Sequence, residues 1–256
     1  QINDAAHRSV PSIAHMHVFT PTERPAADQA QNAKDAAQVA AEPRLTAVDL
    51  FAGGGATSAG VKEAGYAVLA AIDNDRYARL TYRRIHPGTP IHDCDLSEVT
   101  ATAAILKKLG HIDLITITPP CAPFSSASRK WNRKYPTTDD DPRAQLTLHA
   151  LRATIPLRPG AFLIENTPRF ASSKIWKTAK KWLQDAEYNV EHTTVNAANT
   201  GVPQKRRRFI ATAVRRPLAT NIRMAERAAR TEVTTARTVF PTEDVVWHYA
   251  GDGRTA

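Results

Sequence analysis

Three short stretches of this 256-residue chain carry side chains capable of covalent or acid–base chemistry, and each borders an apolar run. In "TITPPCAPFS" (116–125), Cys121 stands behind Pro119 and Pro120, where the run from Ile112 to Ile117 stops. Proline cannot donate to the ladder of a central strand, and its fixed backbone angle makes the turn that follows rigid. Two readings of the thiol are open: filler at a strand end, or a nucleophile held out by that turn. Thiolate is the reactive form and an unassisted cysteine is mostly protonated at neutral pH, so the second reading needs neighbours. "LIENTP" places Glu165 and Asn166 after four apolar residues, a setting that raises a carboxyl's pKa and lets it share a proton with a ring nitrogen. "GVPQKRRRF" brings Gln204, Lys205, Arg206, Arg207 and Arg208. Alternation along a strand would put Arg206 and Arg208 on one face and turn Arg207 away.

A second set of residues suits binding rather than bond-making. "DLFAGGGATSAG" (49–60) is a glycine-rich turn from a strand into a helix, the kind of backbone that a ligand can approach closely. Asp49, Asp73 in "AIDND" and Asp95 in "CDL" are expected at three successive strand ends. A carboxylate at the second can accept both hydroxyls of a ribose, and one at the third can accept from an adenine amino group. Each aspartate has the plainer alternative of capping a helix.

The elements that must position these groups alternate strand with helix from Leu45 onward. "LTAVDLF", "YAVLAAID", a short segment ending near Asp95, "HIDLITI", "GAFLIEN", "NVEHTTVNA" and "RRFIATAV" read as strands. "TSAGVKEAG", closed by Gly65, "DRYARLTYRRI", "SEVTATAAILKKLG", "RAQLTLHALRATI" and "KIWKTAKKWLQDAEY" read as helices, the last with Ile175, Trp176, Ala179 and Leu183 facing the sheet. Such alternation predicts an α/β fold with a mostly parallel sheet and helices on both faces. Ligands then gather beyond the carboxyl ends of the strands. Residues 1–44, rich in Ala, Pro, Gln and Asp, read as a flexible arm with a short helix around Ala26–Ala41; 45–214 read as the catalytic domain and 215–256 as a basic segment.

Composition narrows the class further. The net charge of +9 is concentrated between Gln204 and Arg237, where ten basic residues face two acidic ones, a density that suits phosphate backbones. Two cysteines, Cys94 and Cys121, argue against a disulfide framework and fit a reducing cytoplasm. The nine histidines lack metal-ligand spacing; His15-x-His17 and His92-x-Cys94 come closest, and no metal is expected. No apolar run approaches the ~18 residues needed to span a bilayer, and the N-terminus lacks a charged leader before an apolar stretch.

"DLFAGGG", "PPCAPFS", "ENTP" and "QKRRR" resemble, in order and approximate spacing, the motifs of the C5-cytosine DNA methyltransferases, over roughly Leu45 to Val214. The resemblance implies a Rossmann-like S-adenosylmethionine-dependent methyltransferase fold acting on double-stranded DNA. It implies that Cys121 attacks C6 of a flipped-out cytosine, Glu165 holds N3 and the amino group, and Arg206, with Arg208 beside it, meets the base at O2. S-adenosyl-L-methionine would lie against Phe51, Gly53, Gly54 and Gly55, its ribose on Asp73, its adenine near Asn74, Asp95 and Leu96, under Pro120 and Leu146. "SSASRKWNRKYP" (125–136) resembles the family's mobile catalytic loop, so Ser125, Arg129, Lys130, Arg133 and Lys134, with Gln204 and Lys205, are expected on DNA. A cytoplasmic, nucleoid-associated location follows.

The chain departs from the family pattern at three places. Ala122 replaces the glutamine after the cysteine, and Thr167 the valine after Glu-Asn. The third is length: the chain ends at Ala256, short of the family's usual recognition region and of the returning segment that completes the cofactor pocket, so a second chain supplying those parts is one expectation. "TVFPTEDVVWHYAGDGRTA" reads as the start of a recognition region. An active methyltransferase and a catalytically silent DNA-binding remnant both stay open, with retention of Cys121, Glu165 and Arg206 favouring the first. An RNA cytosine methyltransferase shares these motifs. An NAD-dependent Rossmann enzyme explains the glycines and Asp73 but not the later motifs.

Overall fold

A seven-stranded sheet in the order β3-β2-β1-β4-β5-β7-β6 organises the computed structural model, which describes residues 45–125, 135, 140–200, 202 and 204–216. The strands are β1 (Thr46–Leu50), β2 (Ala67–Ile72), β3 (Ile91–His92), β4 (Leu114–Ile117), β5 (Ala161–Asn166), β6 (Tyr188–Asn196) and β7 (Arg207–Arg215). Pairings among β3, β2, β1, β4 and β5 are parallel, and β7 runs antiparallel to both β5 and β6. The helices are α1 (Ala56–Glu63), α2 (Arg76–Ile85), α3 (Val99–Lys107), α4 (Leu146–Thr154) and α5 (Lys174–Asp185). The mostly parallel α/β architecture read from the alternation is therefore present. The expected helix at Ala26–Ala41 and everything beyond Arg216 lie outside the described residues.

The two faces of the sheet are covered differently. α3, α4 and α5 pack against one another on one face, over a core that includes Val48, Leu50, Ile115, Ile117, Phe162, Ile164 and Phe209. On the other face α1 packs on β1 and β2, where Ala47, Val61 and Val68 form one apolar cluster and Ala52, Ala71 and Tyr82 another. Each large core side chain contributes roughly 1.5–3 kcal/mol by leaving water. Helix α5 buries the four residues expected, Ile175, Trp176, Ala179 and Leu183, while its Ser173 cap accepts a hydrogen bond from the Trp176 amide at 3.0 Å. Boundaries shift where side chains intervene. β4 starts only at Leu114, after Asp113 turns its carboxyl onto the Thr46 amide (2.7 Å) and hydroxyl (2.8 Å).

This topology has one consequence for chemistry. The parallel strands end at the edge where antiparallel β7 begins, so residues that follow β3, β2, β1 and β4, end β5 and open β7 share a single border. Along it, in spatial order, come Asp95, Asp73, the glycine turn, Cys121, Glu165 and the arginines.

Candidate active site

Directly after β1 the chain turns through Phe51, a non-glycine residue at φ 60°, and Gly53 at φ 54°. A side chain at φ > 0 costs energy unless its surroundings enforce it, and such strain gathers at functional turns. The turn is held by Asp73 beyond β2, whose Oδ2 accepts from the Gly53 amide at 2.8 Å and whose Oδ1 accepts from the Asp75 amide at 2.8 Å. Asp75, not Asp73, caps α2, through the Ala78 amide at 2.7 Å. Two further lone pairs of the Asp73 carboxylate stay available to a ligand. A Cβ built on Gly53 would meet nothing within 4 Å, so open space lies above that backbone; Gly54 is exposed. On the next strand end, Asp95 accepts from the Ser97 amide (2.8 Å) and the Asn74 amide nitrogen (3.3 Å), and the Ser97 bonds are the chief cause that holds its pKa below the usual carboxylate range. Leu96 is buried in the main core, and Leu146, at the start of α4, is half-buried.

Asp49 corrects the expectation of three acidic strand ends. It lies inside β1, 1 % exposed, accepting from Thr116 Oγ1 (2.6 Å) and Ser58 Oγ (2.7 Å). Burial pushes its pKa up against those two hydrogen bonds. Its place is beneath the turn, in a buried polar chain running on from Ser58 to the Tyr82 hydroxyl at 2.8 Å. Sequence reasoning missed that chain. Its signal was Tyr82, whose hydroxyl on a sheet-facing turn of α2 has to find a partner once buried.

Across β4, Cys121 is exposed at the head of a 3-10 turn spanning Ala122–Phe124, behind buried Pro119 and half-buried Pro120. Phe124 anchors the turn. It packs edge-on to Phe170 (4.9 Å), which meets Phe209 (5.2 Å) and Trp176 (5.9 Å). Aromatic pairs of this kind contribute about 0.5–1.5 kcal/mol each beyond burial. The cluster ties the cysteine turn to β7 and α5, a link that no motif announced.

Glu165 sits at the end of β5, one residue past Ile164, which is level with Ile117 at the end of β4. Its Oε1 pairs with Arg208 Nε at 2.8 Å. Burial raises its pKa, and Arg208 and Arg206 oppose that rise electrostatically. Arg208 alone of the arginines pairs with Glu165 among the ion pairs of the described residues, while β7 starts only at Arg207, so Arg206 lies before the strand and is exposed. Asn166 is fully buried, and its Oδ1 accepts from the Thr167 amide at 2.8 Å. Gln204 and Lys205 are exposed beside these arginines, and Ser125 is half-buried after the cysteine turn. Arg129, Lys130, Arg133 and Lys134 lie outside the described residues. Among the described residues, no group of three or more His, Cys, Asp or Glu is placed to hold a metal ion, and no helix is long and apolar enough to cross a membrane.

Residues 45–252 match the sequence profile described as C-5 cytosine-specific DNA methylase. The type II methyltransferase M.HgiDI of Herpetosiphon aurantiacus is 35 % identical over 164 residues, 64 % of this chain and 50 % of that protein. M.HgiGI, from the same organism, is 36 % identical over 53 % of this chain and 100 % of its own length. The chain thus spans about half the length of the first of these curated relatives. Among solved structures, a candidate DNA modification methyltransferase encoded within an E. coli prophage superposes with a TM-score of 0.65 at 27 % identity, over 79 % of this chain and 56 % of that one. A mutant of Spodoptera frugiperda DNMT2 superposes at 0.58 with 26 % identity, over 75 % and 54 %.

Proposed function

Starting from the fact that this chain belongs to the C-5 cytosine-specific DNA methylase family, we propose that it methylates C5 of a cytosine in double-stranded DNA, using S-adenosyl-L-methionine. The observation that carries this reading is the single border on which Cys121, Glu165 and Arg208 stand beside the strained glycine turn, with Glu165 and Arg208 paired at 2.8 Å.

The residues fit the donor. Open space over Gly53 and the free lone pairs of Asp73 suit an adenosine ribose, while Asn74 and Asp95 suit the adenine edge. Phe51, Gly54, Gly55, Leu96, Pro120 and Leu146 complete the lining. When bound, the donor supplies an electrophilic methyl group.

This chain's own groups prepare the base. C5 of cytosine is a weak nucleophile. A stacked base is out of reach, so the nucleotide swings out of the duplex at a cost of a few kcal/mol. The Cys121 thiolate forms a bond to C6 while Glu165, whose pKa burial raises, gives its proton to N3. The ring becomes an enamine, nucleophilic at C5. Arg206 meets O2, and Arg208 fixes the Glu165 carboxyl in place. After C5 is alkylated, loss of its proton and return of the N3 proton to Glu165 expel the thiolate. Ser125, the cations of 129–134, Gln204 and Lys205 grip phosphates. In this reading 45–214 is the catalytic domain and 215–256 a basic segment belonging to the recognition region. The type II relatives favour a role in restriction–modification, and a chain acting on DNA would work in the cytoplasm, on the nucleoid.

The test is a trapping experiment: DNA containing 5-fluorocytosine, incubated with the chain and S-adenosylmethionine, should yield a covalent protein–DNA adduct that maps to Cys121. Methyl transfer without an adduct would overturn the mechanism. Neither adduct nor transfer, with or without added extract supplying a partner chain, would favour the silent DNA-binding reading.

A further inference from the structure

Gly55 closes the glycine turn at φ 93°, and a Cβ there would come within 2.5 Å of the His86 ring. His86, at the C-terminal end of α2, is 6 % exposed and fills that space from below. Its Nε2 lies 2.8 Å from the Gly55 carbonyl oxygen, its Nδ1 lies 3.3 Å from Lys62 Nζ, and its ring stacks at a tilt on Tyr82 with centroids 4.8 Å apart. Lys62 is itself fixed by donating to Thr89 Oγ1 at 2.8 Å.

These contacts determine the ring's state. A carbonyl oxygen only accepts, so Nε2 must carry the hydrogen. An ammonium only donates, so Nδ1 must offer its lone pair. From this we infer that His86 is a positioning residue, held by Lys62 as the neutral Nε2–H tautomer so that it pins the Gly55 carbonyl and keeps the Gly53–Gly54 backbone open to the methyl donor. The inference rests on the cofactor reading above for its ligand. Its structural half stands without that ligand: α1 contributes Lys62, α2 contributes His86, and the pair locks the turn between them from the side opposite the open space.

The experiments use the full chain. Nitrogen-15 spectra of the histidine rings at neutral pH should show His86 protonated at Nε2 alone; a proton on Nδ1 overturns the inference. His86→Phe keeps the packing and removes the hydrogen bond. It should weaken S-adenosylmethionine binding, read by calorimetry, by about five- to tenfold, the effect of one buried hydrogen bond. His86→Gln can donate to Gly55 and accept from Lys62, and should bring affinity back to within about twofold of wild type on the same scale. Wild-type affinity in His86→Phe, or no rescue by His86→Gln, overturns the inference. If His86→Phe does not fold, Lys62→Met takes its place: no ammonium then keeps a proton off Nδ1, so the His86 spectrum should gain a doubly protonated fraction absent from wild type, and an unchanged spectrum overturns the lock. If wild type binds no S-adenosylmethionine, the proposed function fails by itself. Amide exchange at Gly55 and Ala56 then decides the positioning role, faster in the variants supporting it and unchanged overturning it.

Discussion

The glycine-turn half of the site border and its cysteine half are built from different materials. Around Phe51–Gly55 the groups proposed to face the donor are backbone, and the turn is tied from behind: Gly53 to Asp73, Gly55 to His86, β1 to β4 through Asp49 and Thr116. Around Cys121 the working groups are side chains. The thiol is exposed, and Glu165 keeps one paired oxygen and a carboxyl that burial would sooner protonate. A binding surface is best made rigid before its ligand arrives. A reacting centre needs groups held short of their preferred state, so that substrate contact completes them. Damage to the two halves should therefore read out in different constants.

The largest effect is expected at the cysteine half. Cys121→Ser should lower methyl transfer by at least about a thousandfold, because a serine hydroxyl ionises far less readily than a thiol and is the weaker nucleophile. The dissociation constant for S-adenosylmethionine should stay within about twofold, since a side chain outside the binding half contributes little to that step. Radiolabel transfer and calorimetry on the same preparation make the comparison. A matching loss of binding would mean that the halves are not separable.

Glu165→Gln comes next, with a fall in turnover of roughly a hundredfold or more from lost proton transfer. Here the folded state should gain. Burial lifts the Glu165 pKa above its unfolded value, so the fold binds the extra proton and is penalised once pH rises through that range. Removing the carboxyl removes the penalty. The melting temperature of the variant minus that of wild type should be near zero in acid and grow as pH climbs through the carboxylate range to neutrality. A difference that shrinks with pH would show that the Arg208 pair, not burial, dominates.

Asp73→Ala tests the other half. The substitution frees the Gly53 amide and removes the acceptor proposed for the ribose, so S-adenosylmethionine affinity should drop roughly ten- to a hundredfold, as for loss of a hydrogen bond to a charged group. Turnover at saturating donor should change far less. If calorimetry gives an unchanged constant, Asp73 serves only the turn.

The contrast also explains which features could be read in the chain beforehand. Strand and helix order were legible because apolar period and glycine punctuation are local, and the four buried residues of α5 followed directly from spacing. The places of Cys121, Glu165 and Asp73 along one border were legible because their motifs abut strand ends. Asp49 misled because a strand's last residues look alike whether the side chain points to solvent or into the neighbouring strand; only the pairing of β1 with β4, level at Asp49 and Thr116, buries it. The Phe124–Phe170–Phe209 cluster and the His86–Gly55 contact join residues 31 or more positions apart, and long-range packing leaves no periodic trace.

The smallest expected effect concerns the exposed rim where the two halves are proposed to meet DNA. Lys205 stands outside the Glu165–Arg208 pair and is exposed, so its proposed partner is a phosphate rather than a base. Phosphate contacts release counterions, and the logarithm of affinity then falls linearly with the logarithm of salt. Lys205→Ala should weaken DNA binding evenly across sequences and reduce that slope by about one unit, with turnover at saturating DNA unchanged. Arg206→Ala, placed against the base, should leave the slope nearly as it is and reduce turnover instead. Identical salt slopes for the two variants would mean that the rim and the base pocket are one electrostatic surface, and the division between gripping and reacting residues would have to be redrawn inside "QKRRR".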